Sequence, residues 1–156
     1  MPDVTSPPPV PASETIDALE TAAREVLETM FFTDVNGAAG PGCAPPAVSA
    51  AVRFHGQPSG ILSVGVTAES ALRMTADFLG EEFPERIAAE AVSSVIGELA
   101  NMICGAVLSR VESGETFQLG TPEPLPPGSP FSQAPACRAL DLGDGSIHLL
   151  LEWYAP

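Results

Sequence analysis

Four residues, Ser94, Glu98, Asn101 and Pro124, form the pattern with the clearest chemical content in this chain. Glu98 and Asn101 stand three positions apart in the run Ser94-Val95-Ile96-Gly97-Glu98-Leu99-Ala100-Asn101, and Pro124 follows after a gap of 22 residues. At about 100° per residue, a helix puts this carboxylate and amide on one face, with Ser94 between them in angle and one turn earlier. A polar pair on the outer side of a helix whose other side is apolar can be presented to a partner from a rigid support. Polar residues on an exposed helix face are ordinary, and Glu-x-x-Asn alone is a short motif. Two details raise this one. Asparagine is a mediocre helix former, so its place in the middle of a strong helix needs a reason. Gly97 and Gly105 flank the pair, although each costs about 1 kcal/mol relative to alanine in a helix interior. Together they leave low relief around Asn101, which would admit another surface.

The apolar residues Val92, Val95, Ile96, Leu99, Met102, Ile103, Ala106 and Val107 predict that this helix, the third, is long. Pro84 suits its first turn, and it runs to about Val111. Ahead of it, Ser13 is a candidate cap for a first helix, with Glu14 and Asp17 in the first turn. Ile16, Leu19, Ala23, Val26, Leu27 and Met30 repeat at helical spacing and carry that helix to Phe31 or Phe32. Residues 36–46 read as loop from their glycines and prolines. Residues 48–54 and 62–66 alternate apolar and small or polar types around a turn at 55–60, the pattern of an antiparallel hairpin. Thr67 caps a second helix that ends near Gly80. Residues 121–136 carry Pro122, Pro124, Pro126, Pro127 and Pro130 and read as a second loop. Two strands follow over 137–142 and 146–153, joined through Gly143-Asp144-Gly145, with Ile147, Leu149, Leu151 and Trp153 on one face. Hairpin-joined strands and grouped helices predict an α+β fold: an antiparallel sheet with long helices packed on it.

The chain has 156 residues, enough for one domain with a real core. We expect a disordered Pro-rich tail over 1–12 and a single domain over 13–156. The net charge is −14, and all six cations are arginine. This argues against a nucleic-acid surface and against binding to anionic membrane. No uninterrupted apolar run reaches the roughly 18 residues of a membrane span, because Glu90, Glu98 and Arg110 break the third helix. The N-terminus has neither the basic nor the apolar region of a signal peptide. Cys43, Cys104 and Cys137 are an odd, scattered set that fits reduced thiols, so the expected location is cytoplasmic.

Other constellations are weaker. The loop at 37–42 has no Gly-Lys-Ser/Thr ending and is not a Walker A phosphate cradle. His55 and His148 lack metal-ligand spacing to each other or to a cysteine, so no metal or cofactor is expected in this chain. Cys104 reads as a packing residue. No Gly-x-Ser-x-Gly elbow is present. Asp141 and Asp144 have the ordinary turn explanation.

The spacing Ser94-x-x-x-Glu98-x-x-Asn101, with Pro124 beyond it, resembles the signature of the CheC–FliY–CheX chemotaxis phosphatases. The stretches Met102-Ile103-Cys104-Gly105 and Val26-Leu27-Glu28-Thr29-Met30-Phe31-Phe32 are also similar to CheX-like chains, and the resemblance covers roughly residues 13–154. Two-site members carry a second Glu-x-x-Asn on the first helix. The counterpart here is Glu25-Val26-Leu27-Glu28, so the chain looks like a single-site, CheX-type member. The resemblance implies hydrolysis of the aspartyl phosphate of a CheY-like response regulator. Asn101 would orient the attacking water and Glu98 would pair with a lysine of the regulator. Ser94 and Pro124 would shape the surroundings, Mg²⁺ would be held by the regulator, and the chain would form a homodimer.

Two alternatives stay open on the sequence. The domain could be a non-catalytic response-regulator-binding or adaptor module in a signalling complex. It could also be an unrelated α+β domain in which Glu-x-x-Asn arose by chance, and burial of Glu98 or Asn101 in the protein's own core would favour that.

Overall fold

In a computed structural model of the protein, residues 12–40, 44–56, 59–111, 116–126, 131 and 137–154 are described. The elements are α1 (Ala12–Met30), β1 (Val48–His55), β2 (Gly60–Val66), α2 (Ala68–Leu79), a 3₁₀ turn (Pro84–Arg86), α3 (Ala89–Val111), β3 (Gln118–Leu119), β4 (Glu123–Leu125), β5 (Cys137–Asp141) and β6 (Ser146–Trp153). The strands form one antiparallel sheet in the order β3-β1-β2-β6-β5, with β4 also on the outer side of β1. This is the expected α+β architecture. The expected tail over 1–12 lies, apart from Ala12, outside the described residues, as do 41–43 of the first loop, 57–58 of the hairpin turn and most of 127–136.

Alternation along the strands builds the core. The pairings Val52↔Leu62↔Leu151, Ala50↔Val64↔Leu149 and Val48↔Val66↔Ile147 line up rows of apolar side chains on the face that meets the helices. In the next row beyond Val52↔Leu62↔Leu151, Gly60 stands between Phe54 and Trp153. A Cβ on Gly60 would fall 2.6 Å from the Phe54 ring and 2.3 Å from the Glu152 carbonyl oxygen. Its absence lets Phe54 and Trp153 meet edge to face at 5.6 Å. Onto this surface pack α1 and α3, with α3 touching β1 and β2, and α2 packs in turn against α3. Its buried set contains the expected Val92, Val95, Ile96, Leu99, Ile103 and Val107, and adds Ala100, Cys104 and Leu108; Met102 and Ala106 are half-buried.

Several local expectations change. α1 starts at Ala12, so Ser13 lies inside the helix rather than before it. Pro84 opens the separate 3₁₀ turn, because Ile87 adopts extended backbone and breaks the chain before α3. Thr67 stands at the N-cap of α2 but its hydroxyl makes no cap bond; it accepts from the Ser146 amide at 3.0 Å and so ties α2 to β6. Gly80 closes α2 in the left-handed conformation, as expected. The segment expected to be loop from 121 contains β4, in which Pro124 stands opposite Ala50. Proline is tolerated there because β4 is an outer strand, with a free side where a ladder donor is not needed.

Although Glu90, Glu98 and Arg110 interrupt it, α3 is long and apolar enough, by length and composition, to cross a membrane. However, 56% of its most apolar window is buried inside the fold, so this hydropathy belongs to a core helix.

Asp144 does more than make a turn. Arg73 of α2 donates to both of its oxygens, at 2.5 and 3.1 Å, and Ser70 donates at 2.6 Å. Arg73 also donates to the Thr33 hydroxyl at 3.2 Å, so one guanidinium links α2, the β5–β6 turn and the chain leaving α1. The hydrogen bond from Arg73 holds the Asp144 carboxyl below its usual range, although its partial burial opposes this. Both side chains are about one-third exposed, at 34% and 30%, which limits the gain to about 1 kcal/mol. Because the folded pKa is depressed, this stability is present above the unfolded value of about 4 and is lost as pH falls through the folded value. Arg73→Ala should therefore lower stability by about 1 kcal/mol at pH 7. In denaturant titrations, the gap from the parent protein should close below about pH 4.

Candidate functional site

α3 has four sides and three are covered by protein. Glu90, Ser94, Glu98, Asn101, Gly105 and Ser109 fall within about 100° of the helix circumference, and this arc is the one left toward solvent. Ser94 and Glu98 are exposed and Asn101 is half-buried, so neither member of the pair is sunk in the core. Among the described residues, the Glu98 carboxylate and the Asn101 amide have no hydrogen-bond or ion-pair partner.

A groove of about 230 Å³ runs between α3 and the segment containing β4. Its helix side is Ser93, Ser94, Gly97 and Glu98, and its other side is Thr121, Pro122, Glu123 and Pro124, with Ala50 of β1 also lining it. The fold thus brings Ser94, Glu98 and Pro124 together on one groove. Asn101 lies one helical turn beyond Glu98 and does not line it. Thr121 and Pro122 as a wall are not evident from the sequence alone, because prolines at alternate positions carry the signature of a loop. Leu119 and Leu125 within a proline-rich run are also compatible with a short outer strand, and that was the available signal.

The two glycines of α3 have a different use from the one expected. A Cβ on Gly97 would lie 3.2 Å from the Pro122 Cβ, and one on Gly105 would lie 4.0 Å from Leu119. The low relief is therefore occupied at Gly97 by the protein's own chain, while Gly105 retains ordinary space.

The charge around the groove is uncompensated. Arg24 donates to the Val35 carbonyl, Arg53 to the Tyr154 hydroxyl and Arg73 to Asp144; Arg86 stacks on Phe83; Arg110 pairs with Glu25, and Arg138 with Glu20. Those are all six cations in a chain of net charge −14, and none lines the groove. Glu25, in the first-helix counterpart of the pair, is thus held by an arginine from α3.

The remaining candidates stay apart from this site. Cys104 is 1% exposed, and burial pushes its thiol up to about 12, which fits packing and not nucleophilic chemistry. His148 is half-buried beside Ser146 and Phe131, and burial lowers its pKa. A larger hollow of about 650 Å³ is lined by Thr67, Glu69, Asp141, Asp144 and their neighbours, and Asp144 there is already engaged by Arg73. Among the described residues, no group of three or more His, Cys, Asp or Glu side chains is placed to hold a metal ion.

Comparison with known proteins points to one family. The family model described as chemotaxis phosphatase CheX matches residues 48–130, just over half of the chain. No curated protein matches. Among solved structures, the chemotaxis protein CheX from Vibrio vulnificus is 22% identical, with a TM-score of 0.71 over 92% of this chain and 98% of that one. CheX from Desulfovibrio desulfuricans is 25% identical, with a TM-score of 0.69 over 90% and 99%. The CheX of a CheX–CheY–BeF₃–Mg²⁺ complex from Borrelia burgdorferi is 21% identical, with a TM-score of 0.70 over 90% and 98%.

The geometry separates stability from whatever the pair does. Asn101→Ala removes a residue with no partner and a weak helix propensity, so unfolding free energy should change by no more than about 0.5 kcal/mol. Leu99→Ala, two positions away and fully buried, should cost about 2–5 kcal/mol in the same denaturant titration.

Proposed function

The chain belongs to the chemotaxis phosphatase CheX family, and from that membership we propose that it hydrolyses the aspartyl phosphate of a CheY-like response regulator. The observation that carries this reading is the pairing on α3 of a carboxylate and an amide, both near the surface and both without intramolecular partners. A chain that left these groups unengaged for no purpose would gain by replacing the asparagine with a better helix former.

An acyl phosphate is already labile, so a catalyst mainly has to place water in line with the phosphorus. The water oxygen bonds to phosphorus as the bond from phosphorus to the aspartyl oxygen breaks. The electron pair leaves with the regulator's carboxylate, and the water's proton passes to the released phosphate or to solvent. The Asn101 side-chain oxygen accepts a hydrogen bond from that water and sets its direction. A neutral amide suits the task, because a carboxylate there would add negative charge beside the phosphoryl oxygens. Glu98, whose groove contains no cation of its own, pairs with a lysine of the regulator and fixes the docked register. Ser94 shapes the helix face one turn before Glu98, and Pro124 forms the opposite wall of the groove. Mg²⁺ belongs on the regulator's own carboxylates; the Borrelia complex is one that contains CheX, CheY, BeF₃ and Mg²⁺ together.

The direct test is phosphate release from a phosphorylated CheY-like protein with Mg²⁺. The parent chain should speed release, and Asn101→Ala should slow the accelerated rate by about 10²-fold. No acceleration, a protected phosphate, or full activity in Asn101→Ala would sink the hydrolytic reading; a protected phosphate would instead indicate a binding module. Glu98→Gln keeps the shape and removes the charge. It should raise KM and flatten its salt dependence while kcat changes little; an unchanged KM would remove Glu98 from docking.

A further inference from the structure

Glycine at the heart of a long helix is unfavourable, and Gly97 is not at a turn or a positive φ. Its reason is across the groove. Pro122 rests on α3 at this point, with its Cβ 3.2 Å from where a Cβ of residue 97 would be and its Cγ at 3.9 Å. Two further contacts fix the same segment. Gly120 donates to the Arg53 carbonyl at 2.7 Å, and Glu123 and Pro124 pair with Ala51 and Ala50 of β1. Alternation along an outer strand points Pro122 and Pro124 to the helix side, with Ala50, and Glu123 to the other side. Beside Glu98 the segment therefore bears on α3 through its prolines, while Leu119 meets α3 two turns further on, at Gly105. The Gly97–Pro122 contact is the point at which the groove beside Glu98 closes down to the helix backbone.

We infer that Gly97 is a positioning residue for the docking step: by lacking a Cβ it seats Pro122 on α3 and thereby sets the width of the groove in which Glu98 meets the regulator. This rests on the proposed function for its meaning, and on the packing alone for its geometry. A methyl group at 97 is tighter than ordinary contact allows, so Pro122 and the strand behind it must move by a few tenths of an ångström. Pro122 has no free rotamer with which to yield, since its ring is closed on the backbone. The wall formed by Pro122 and Pro124 moves with it, and Glu98 then sits in a groove of different width. Asn101 lies on α3 one turn beyond and does not line the groove, so the water-orienting group keeps its place.

The test is a double-mutant cycle between Gly97→Ala and Pro122→Gly, with kcat and KM for the phosphorylated regulator measured separately. Gly97→Ala should raise KM about tenfold with kcat within about threefold, because a displacement well under 1 Å costs less than the roughly 10²-fold of a full ångström. In the Pro122→Gly background the same change should have little further effect, since the contact it acts through is gone. A general loss of folding would lower the apparent kcat through loss of active protein, would leave KM unchanged, and would add across the cycle. The partner-free readout is amide chemical shift and hydrogen exchange at Ala51 and Leu125, in the β1–β4 pairing. Gly97→Ala should perturb both, and Pro122→Gly should cancel most of that perturbation. Shifts confined to α3, an unchanged KM in an active protein, or additive effects would overturn the inference. If the parent chain speeds no phosphate release, the proposed function fails, and the amide readout still decides the positioning contact.

Discussion

The burial of α3 is the constraint on which the rest depends. A helix of this length and hydropathy has to be enclosed nearly all round, and the sheet, α1 and α2 supply that enclosure. What remains uncovered is a strip about one side chain wide. Every group on the strip is then held by the same packing that stabilises the fold, so the position of Glu98 and Asn101 inherits the rigidity of Leu99, Ile96 and Ile103 beneath them. Apart from Glu90 and Glu98, the strip carries only small or short side chains, Ser94, Asn101, Gly105 and Ser109, so the backbone of α3 lies close to whatever approaches there.

Much of this was legible because two periods dominate the sequence. The alternation in β1, β2 and β6 gave their common face, and the 3.6-residue repeat gave α1 and α3 and put Glu98 with Asn101. The parts that escaped depend on contacts between residues far apart in the chain. The strand at Glu123–Leu125 is short and holds a proline, and only its pairing with Ser49, Ala50 and Ala51 makes it a strand. The Thr67 hydroxyl had a local use as a cap and a distant use on the Ser146 amide, and the distant one won. Asp144 looked like a turn residue because its partner, Arg73, lies 71 positions earlier. Gly97 suggests open space for a visitor in the sequence, whereas its nearest occupant is Pro122 of the same chain. In each case the residue type was informative and the identity of its neighbour was not.

The charge distribution follows a similar division of labour. With no lysine and every arginine committed to an internal contact, the protein carries its negative potential outward without local relief. Fields of this kind act over about a Debye length of 8–10 Å in physiological salt and bias the direction of encounters more than their strength. On the proposed function, the cation that Glu98 lacks comes from outside the chain. The site would then be half of an apparatus: it would hold the orienting groups, and the reactive phosphoryl group and the ion beside it would arrive with the other protein.

The prolines of the outer segment have one more consequence. Successive backbone amides in a strand point to opposite sides, and Pro122, Pro124 and Pro126 occupy alternate positions. The amides that can serve the ladder with β1 are therefore those of Glu123 and Leu125, and the nitrogen positions turned outward carry no hydrogen. A foreign strand laid along this border would find carbonyl oxygens and no donors. The margin of the sheet next to the groove is thus closed to strand recruitment, and with it to the edge-to-edge aggregation that an unprotected margin invites.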